Sequence, residues 1–217
     1  MKNDVIPSEK RTRSHAIVGA LAIAALAPVA HAHHPMGGMT PSTFTEGMLS
    51  GIGHPIIGID HLAFLVVAAL LSFTLRGNAR YLVPMAFIAA TVVGTLIHLG
   101  AADLPMSETV IALSALLGGL AVMFKGSLPA LLLGSLFAIF GVYHGYAYGE
   151  AIVGAEQTPL LSYLLGFAVT QYAIIAGGVA LVSALAARSA RLQSLAVRSG
   201  AWFAAVTGAV FLGLGLA

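Results

Sequence analysis

HPIIGIDHLAFLVVAALLSFTL, residues 54–75, decides the fold. It is long enough at 1.5 Å per residue to cross a hydrocarbon layer of about 30 Å, and Asp60 is the only acidic or basic side chain in it besides two histidines. A carboxylate inside such a run costs roughly 2.5–3.5 kcal/mol or more on insertion scales, so it needs a partner or a wet cavity. The stretch therefore reads both as a membrane span and as a place where something polar happens.

Working outward, further apolar stretches of spanning length fall near 82–101, 106–124, 127–146, 160–185 and 201–217. The whole chain of 217 residues is 59% hydrophobic and 8% charged, with a mean hydropathy of +0.95. Soluble domains carry roughly 25% charged residues, so lipid is the expected solvent. An all-α membrane protein is expected, a bundle of six transmembrane helices occupying 54–217, because helices are the open-chain way to satisfy backbone groups in lipid. There is no cysteine, which excludes disulfides, thiolate metal sites, iron–sulfur clusters and cysteine nucleophiles.

The amino-terminal 32 residues read as a cleaved signal peptide. Lys10, Arg11 and Arg13 precede an apolar run from Ala16 to Ala27, Pro28 breaks it, and Ala30-His31-Ala32 supplies a small-x-small cleavage site. Residues 33–53 are then a periplasmic segment, in which His33, His34, Met36 and Met39 could collect metal, although a solvated tail is the blander reading. The basic residues beyond the leader are Arg76, Arg80, Lys125, Arg188, Arg191 and Arg198, all between spans one and two, three and four, or five and six. Glu46, Asp103, Glu108, Glu150 and Glu156 fall on the other side. The positive-inside rule puts the basic loops in the cytoplasm and both mature termini in the periplasm of a bacterial inner membrane. Scattered in this way, the basic residues mark topology and no nucleic-acid partner is expected, despite a pI near 9.1.

With that orientation, His54, Asp60, His61, His98 and His144 share the outer half of the membrane, and Asp103 and Glu150 follow at the outer mouth. On one continuous helix His54 and His61 would share a face about 10 Å apart, with Asp60 turned about 100° away. Pro55 suits a first helical turn and Gly58 allows a kink or a close approach. Imidazole and carboxylate without thiolate suit Ni(II), Co(II), Zn(II) or Cu(II). The expected metal-handling residues are His54, Asp60, His61, His98, His144 and Glu150. Taken singly, His98 also reads as an interfacial side chain, His144 as part of an aromatic belt with Tyr143, Tyr146 and Tyr148, and the Asp–His pair as a helix lock. Gln171 and Tyr172 read as helix–helix contacts. No Walker, dinucleotide or His-Glu-x-x-His pattern is present, so no enzyme activity and no permanently bound cofactor are expected.

Ala32-His33-His34-Pro35, then Gly51 to His54-Pro55, Gly58 and Asp60-His61-Leu62, with a second block Tyr143-His144-Gly145-Tyr146-Ala147-Tyr148-Gly149-Glu150, resemble the HupE/UreJ family of nickel, sometimes cobalt, permeases. The resemblance implies secondary transport of Ni(II) or Co(II) into the cytoplasm, indirect supply of a hydrogenase or urease, and metal handling by His54, Asp60, His61 and His144. This chain departs from the family pattern in having Tyr148 where a second histidine is common, and Glu150 one position before the usual glutamate. Two other readings stand beside a permease: a non-transporting accessory protein that hands metal to an enzyme, and a membrane b-type cytochrome with haem between histidines of different helices. The partners expected are a divalent metal ion and the lipid bilayer, with room for a homo-oligomer. Imidazole titrates near 6.5 in water, so proton competition should weaken uptake at acidic pH.

Overall fold

A computed structural model describes residues 39–124 and 127–215. The expected signal peptide, His33, His34, Met36 and Lys125 lie outside the described residues. Within them all regular structure is helical: α1 Phe44–Ile57, α2 Ile59–Phe73, α3 Ala79–Leu82, α4 Met85–Leu99, α5 Ser107–Met123, α6 Ala130–Glu150, α7 Gln157–Arg188 and α8 Ala190–Gly215.

The first helix starts ten residues earlier than the apolar run suggests, because Thr43 and Glu46 form a capping box. The Glu46 amide donates to Thr43 Oγ1 at 3.2 Å, and the Thr43 amide donates to Glu46 Oε2 at 3.2 Å. The helix then stops at Gly58, inside the stretch expected to be one span. Pro55 offers no amide to the preceding turn, Gly58 takes extended backbone (φ −68°, ψ 96°), and α2 leaves at 75° to α1. The kink allowed by Pro55 and Gly58 is thus a full break.

By length and hydropathy α3 with α4, α6, α7 and α8 are each able to cross a membrane, and α1 with α2 makes a fifth candidate if the bent pair counts as one span. Helix α5 is apolar but only 17 residues long. Val93 and Leu96 on α4, Ile139 on α6, and Leu165, Val169 and Leu181 on α7 are all exposed. An exterior that apolar is suited to lipid, and the chain is a multi-pass membrane protein.

Helix α2 occupies the middle. Ala63, Leu65, Val67 and Ala68 are fully buried, and α5, α7 and α8 pack around it. The other helices associate in three tight pairs, α4 with α6, α1 with α7, and α5 with α8. Each pair is built on glycine. A side chain at Gly94 or Gly145 would meet the backbone of Val142 or Thr91 across α4 and α6, and one at Gly119 or Gly208 would meet Ala201 or Ala112 across α5 and α8. Lipid gives no hydrophobic drive for helices to associate, so such backbone contact is where dispersion and packing hold them together.

Candidate functional site

The break at Gly58 turns the end of α1 back against the start of α2. His54, in the last turn of α1, and His61, in the first turn of α2, are each 1% exposed, with ring centres 5.7 Å apart. A continuous helix would have held them nearly twice as far apart along its axis; the bend removes that separation. A side chain at Gly58 would strike the His61 ring at Cδ2, 2.6 Å away, so the break and the ring position depend on the same glycine.

Asp60 is equally buried, and its Oδ1 accepts the backbone amide of His61 at 2.9 Å. The opening turn of any helix has amides without intrahelical partners and carries partial positive charge. In the apolar interior this carboxylate satisfies one such amide. Part of the Asp60 requirement is thus met by the helix end that the break creates.

From α6, His144 is fully buried and reaches both α2 and α5. Its Nδ1 lies 2.8 Å from Nδ1 of His61, and its Nε2 lies 3.0 Å from Oγ of Ser114. Phe64 and Phe87 flank the ring at 4.7 and 5.4 Å between centres. One turn further along α6, the Tyr148 ring fits against both His54 (4.8 Å) and His61 (4.4 Å). The position at which a second family histidine was expected is therefore in the cluster, filled by a tyrosine whose buried hydroxyl has no hydrogen-bond partner. From α7, Tyr163 brings its hydroxyl 2.9 Å from Nδ1 of His54 and donates to the backbone carbonyl of Tyr148 at 2.7 Å.

The structure thus gathers His54, Asp60, His61 and His144 across α1, α2 and α6. It leaves His98 and Glu150 elsewhere. His98 meets Tyr146 edge to face, 4.5 Å between ring centres, beside a cleft that Asp103 also lines, and Glu150 is exposed at the end of α6. Among the described residues no three His, Asp or Glu side chains have the spacing of a metal site. Sequence reasoning missed Ser114 and Tyr163. Each is a lone hydroxyl in an apolar helix, and only its tertiary neighbours distinguish it from one that bonds its own backbone. Gln171 is fully buried and its amide nitrogen lies 3.5 Å from Oγ1 of Thr91, a helix–helix contact as expected.

The family model described as HupE / UreJ protein matches residues 21–211 of the chain. Protein HupE of Rhizobium leguminosarum bv. viciae is 30% identical over 167 residues, covering 77% of this chain and 83% of that protein. No solved structure matches.

Proposed function

The chain belongs to the HupE/UreJ family, and on that premise we propose that it is a permease importing a divalent transition metal, Ni(II) first and Co(II) second, from periplasm to cytoplasm. The observation that carries this reading is the broken span at Gly58, with His54 and His61 buried on its two sides. Discontinuous helices near the membrane midplane supply ion and substrate sites in secondary transporters, because the break frees backbone groups and side chains from the helix ladder. Imidazole and carboxylate at such a break suit a borderline cation without holding it as tightly as a thiolate cage would.

In this reading the first 32 residues direct export and are removed. Six spans follow, the broken pair α1–α2 and the short α5 among them, and the arginine loops face the cytoplasm. The ion enters from the outer face, exchanges part of its water for imidazole nitrogen at the break, and is released inward. The membrane potential favours inward movement by about 2.3 kcal/mol per charge per 100 mV. The metal would go on to supply a nickel enzyme.

The test is accumulation of radiolabelled nickel and cobalt in cells lacking their own high-affinity uptake, with wild type, His54→Ala and Asp60→Asn at matched expression. Accumulation by wild type alone supports the permease and its site. Binding by purified protein without accumulation in cells would replace transport with an accessory, metal-presenting role.

A further inference from the structure

At the end of α4 remote from Arg80, the structure opens a cleft of about 350 Å³ whose walls include His98, Asp103, Tyr146 and Val153. In the topology proposed above this end faces the periplasm. The Tyr146–Gly149 turn of α6 forms one side. A side chain at Gly149 would begin 2.5 Å from Cβ of His98, so the bare backbone there lets His98 come this close. Tyr146 meets the His98 ring, and Tyr148, two residues on and about 200° around the helix, packs on His54 and His61. One turn of α6 thus separates the open cleft from the buried cluster. The fold makes no use of Nδ1 of His98, which is buried without a hydrogen-bond partner. Asp103 is exposed on the following loop, which is bracketed by Ala101 (φ 55°) and Met106 (φ 60°). Left-handed backbone at residues with side chains is strained, and such strain collects where loops hold ligands. In the proposed topology Glu46, Asp103, Glu108, Glu150 and Glu156 belong to this face and no lysine or arginine beyond the leader does, so its field draws cations.

We propose that the His98–Asp103 cleft is a loading site, where a divalent transition-metal cation arrives with its water and exchanges the first of it for imidazole before passing to the buried cluster. An ion with metal–oxygen distances of about 2.1 Å and one shell of waters of about 1.4 Å radius occupies roughly 180 Å³, so the cleft accepts it whole. The cluster is closed by comparison, with His54 and His61 each 1% exposed, and an ion entering it has to shed water. Imidazole and carboxylate suit the same borderline cations in both places. Among the described residues no three His, Asp or Glu side chains have the spacing of a metal site. With two donors the cleft holds an ion loosely, as a station that passes it on must. A purely packing role at position 98 would be filled by leucine without burying an unpartnered nitrogen. That the ion moves on to the cluster rests on the permease reading; that it binds in the cleft does not.

The experiment separates the two. In purified full-length protein labelled with 15N at histidine, Co(II) alone is the probe, and the spectrum of His98→Gln identifies the His98 ring signals. Cobalt is expected to shift or broaden those signals in wild type. Asp103→Asn is expected to weaken the response about tenfold, the scale of losing a unit charge beside a divalent ion in water. Asp103 is exposed, so its replacement leaves the packing intact. His98 signals that ignore cobalt, or that respond equally in Asp103→Asn, overturn the proposal even if cells carrying the protein accumulate the metal. The second arm is cobalt uptake at matched expression. KM is expected to rise about tenfold in Asp103→Asn and to recover in Asp103→Glu, with Vmax close to wild type, because a loading site sets capture and not the later passage. An unchanged KM in Asp103→Asn, or a fall in Vmax alone, overturns the loading role. If wild type accumulates no cobalt while His98 responds as expected, the permease reading fails and the cleft stands as a metal-binding site.

Discussion

Nδ1 of His61 and Nδ1 of His144 share one hydrogen bond of 2.8 Å between helices, although 83 positions separate the two residues in the chain. Two imidazoles joined in this way cannot both be donors when neutral, so the state of one ring fixes the other. Everything that holds His144 therefore reaches the break at Gly58 through His61.

Ser114→Ala tests that transmission. It removes the hydroxyl whose oxygen lies 3.0 Å from Nε2 of His144, and a buried polar atom that loses its hydrogen bond costs about 1–3 kcal/mol. The ring escapes part of that cost by shifting or changing tautomer, and either disturbs its 2.8 Å hydrogen bond with His61. KM for nickel or cobalt uptake is expected to rise about tenfold or more, with Vmax little changed. Unaltered KM in Ser114→Ala would mean that the serine only bonds its own helix.

The two tyrosines of the cluster should behave in opposite ways when each is replaced by phenylalanine. Tyr163→Phe leaves Nδ1 of His54 and the carbonyl of Tyr148 without their buried partner, a loss of about 1–3 kcal/mol. The Tyr148 hydroxyl is buried without a hydrogen bond, so Tyr148→Phe removes a polar atom that the fold does not use, and stability should hold or rise. Thermal unfolding of the purified proteins in one detergent is the measurement. A larger loss for Tyr148→Phe than for Tyr163→Phe would reverse the assignment of which hydroxyl supports the cluster.

Much of this architecture was legible in the residues, for identifiable reasons. Apolar run length located the helices: the stretch 82–101 became α3 and α4, ending at Leu99, and 160–185 became α7, Gln157–Arg188. Asp60, His54 and His61 announced themselves because an ionisable group in an apolar run has no structural excuse of its own. The break itself was only half visible. Pro55 and Gly58 permit it, but neither the 75° turn nor the contacts of His54 with Tyr163 and of His61 with His144, on helices distant in sequence, can be read from local residues. His98 and Glu150 were expected at the depth of the cluster but do not share its place, because position along a span sets only expected height, and periodicity sets a helix face without saying which neighbour that face meets.

Gly58→Ala is expected to separate site from scaffold. A methyl group there would lie 2.6 Å from Cδ2 of His61 and 3.2 Å from the carbonyl of His54, so the His61 ring must move or the break must open. The surrounding helices keep their own packing, so the protein should accumulate at near wild-type levels while uptake falls at least about tenfold, in line with loss of a positioned ligand. Wild-type uptake by Gly58→Ala would remove the glycine from the account of the site.

The pair α4–α6 offers the sharpest test of what carries the cluster into position. Gly145 follows His144 directly, and a side chain there would run into the Thr91 backbone; Gly94 meets the Val142 carbonyl in the same way from the other helix. A Thr95 hydroxyl also donates to the carbonyl of Gly145 at 2.8 Å, joining the helices where they are closest. Gly145→Val must push the helices apart along that line, and it shifts His144 from Ser114 and His61 at once. Gly177, by contrast, has nothing within 4 Å of where a side chain would begin, so Gly177→Ala should be neutral or slightly stabilising through helix propensity, by up to about 1 kcal/mol. Monodisperse protein recovered after detergent extraction is the readout, with Gly145→Val expected to be lost or aggregated and Gly177→Ala recovered as wild type. Normal recovery and uptake of Gly145→Val would show that α4 and α6 do not approach at that glycine, and the placement of His144 would have to be rebuilt from there.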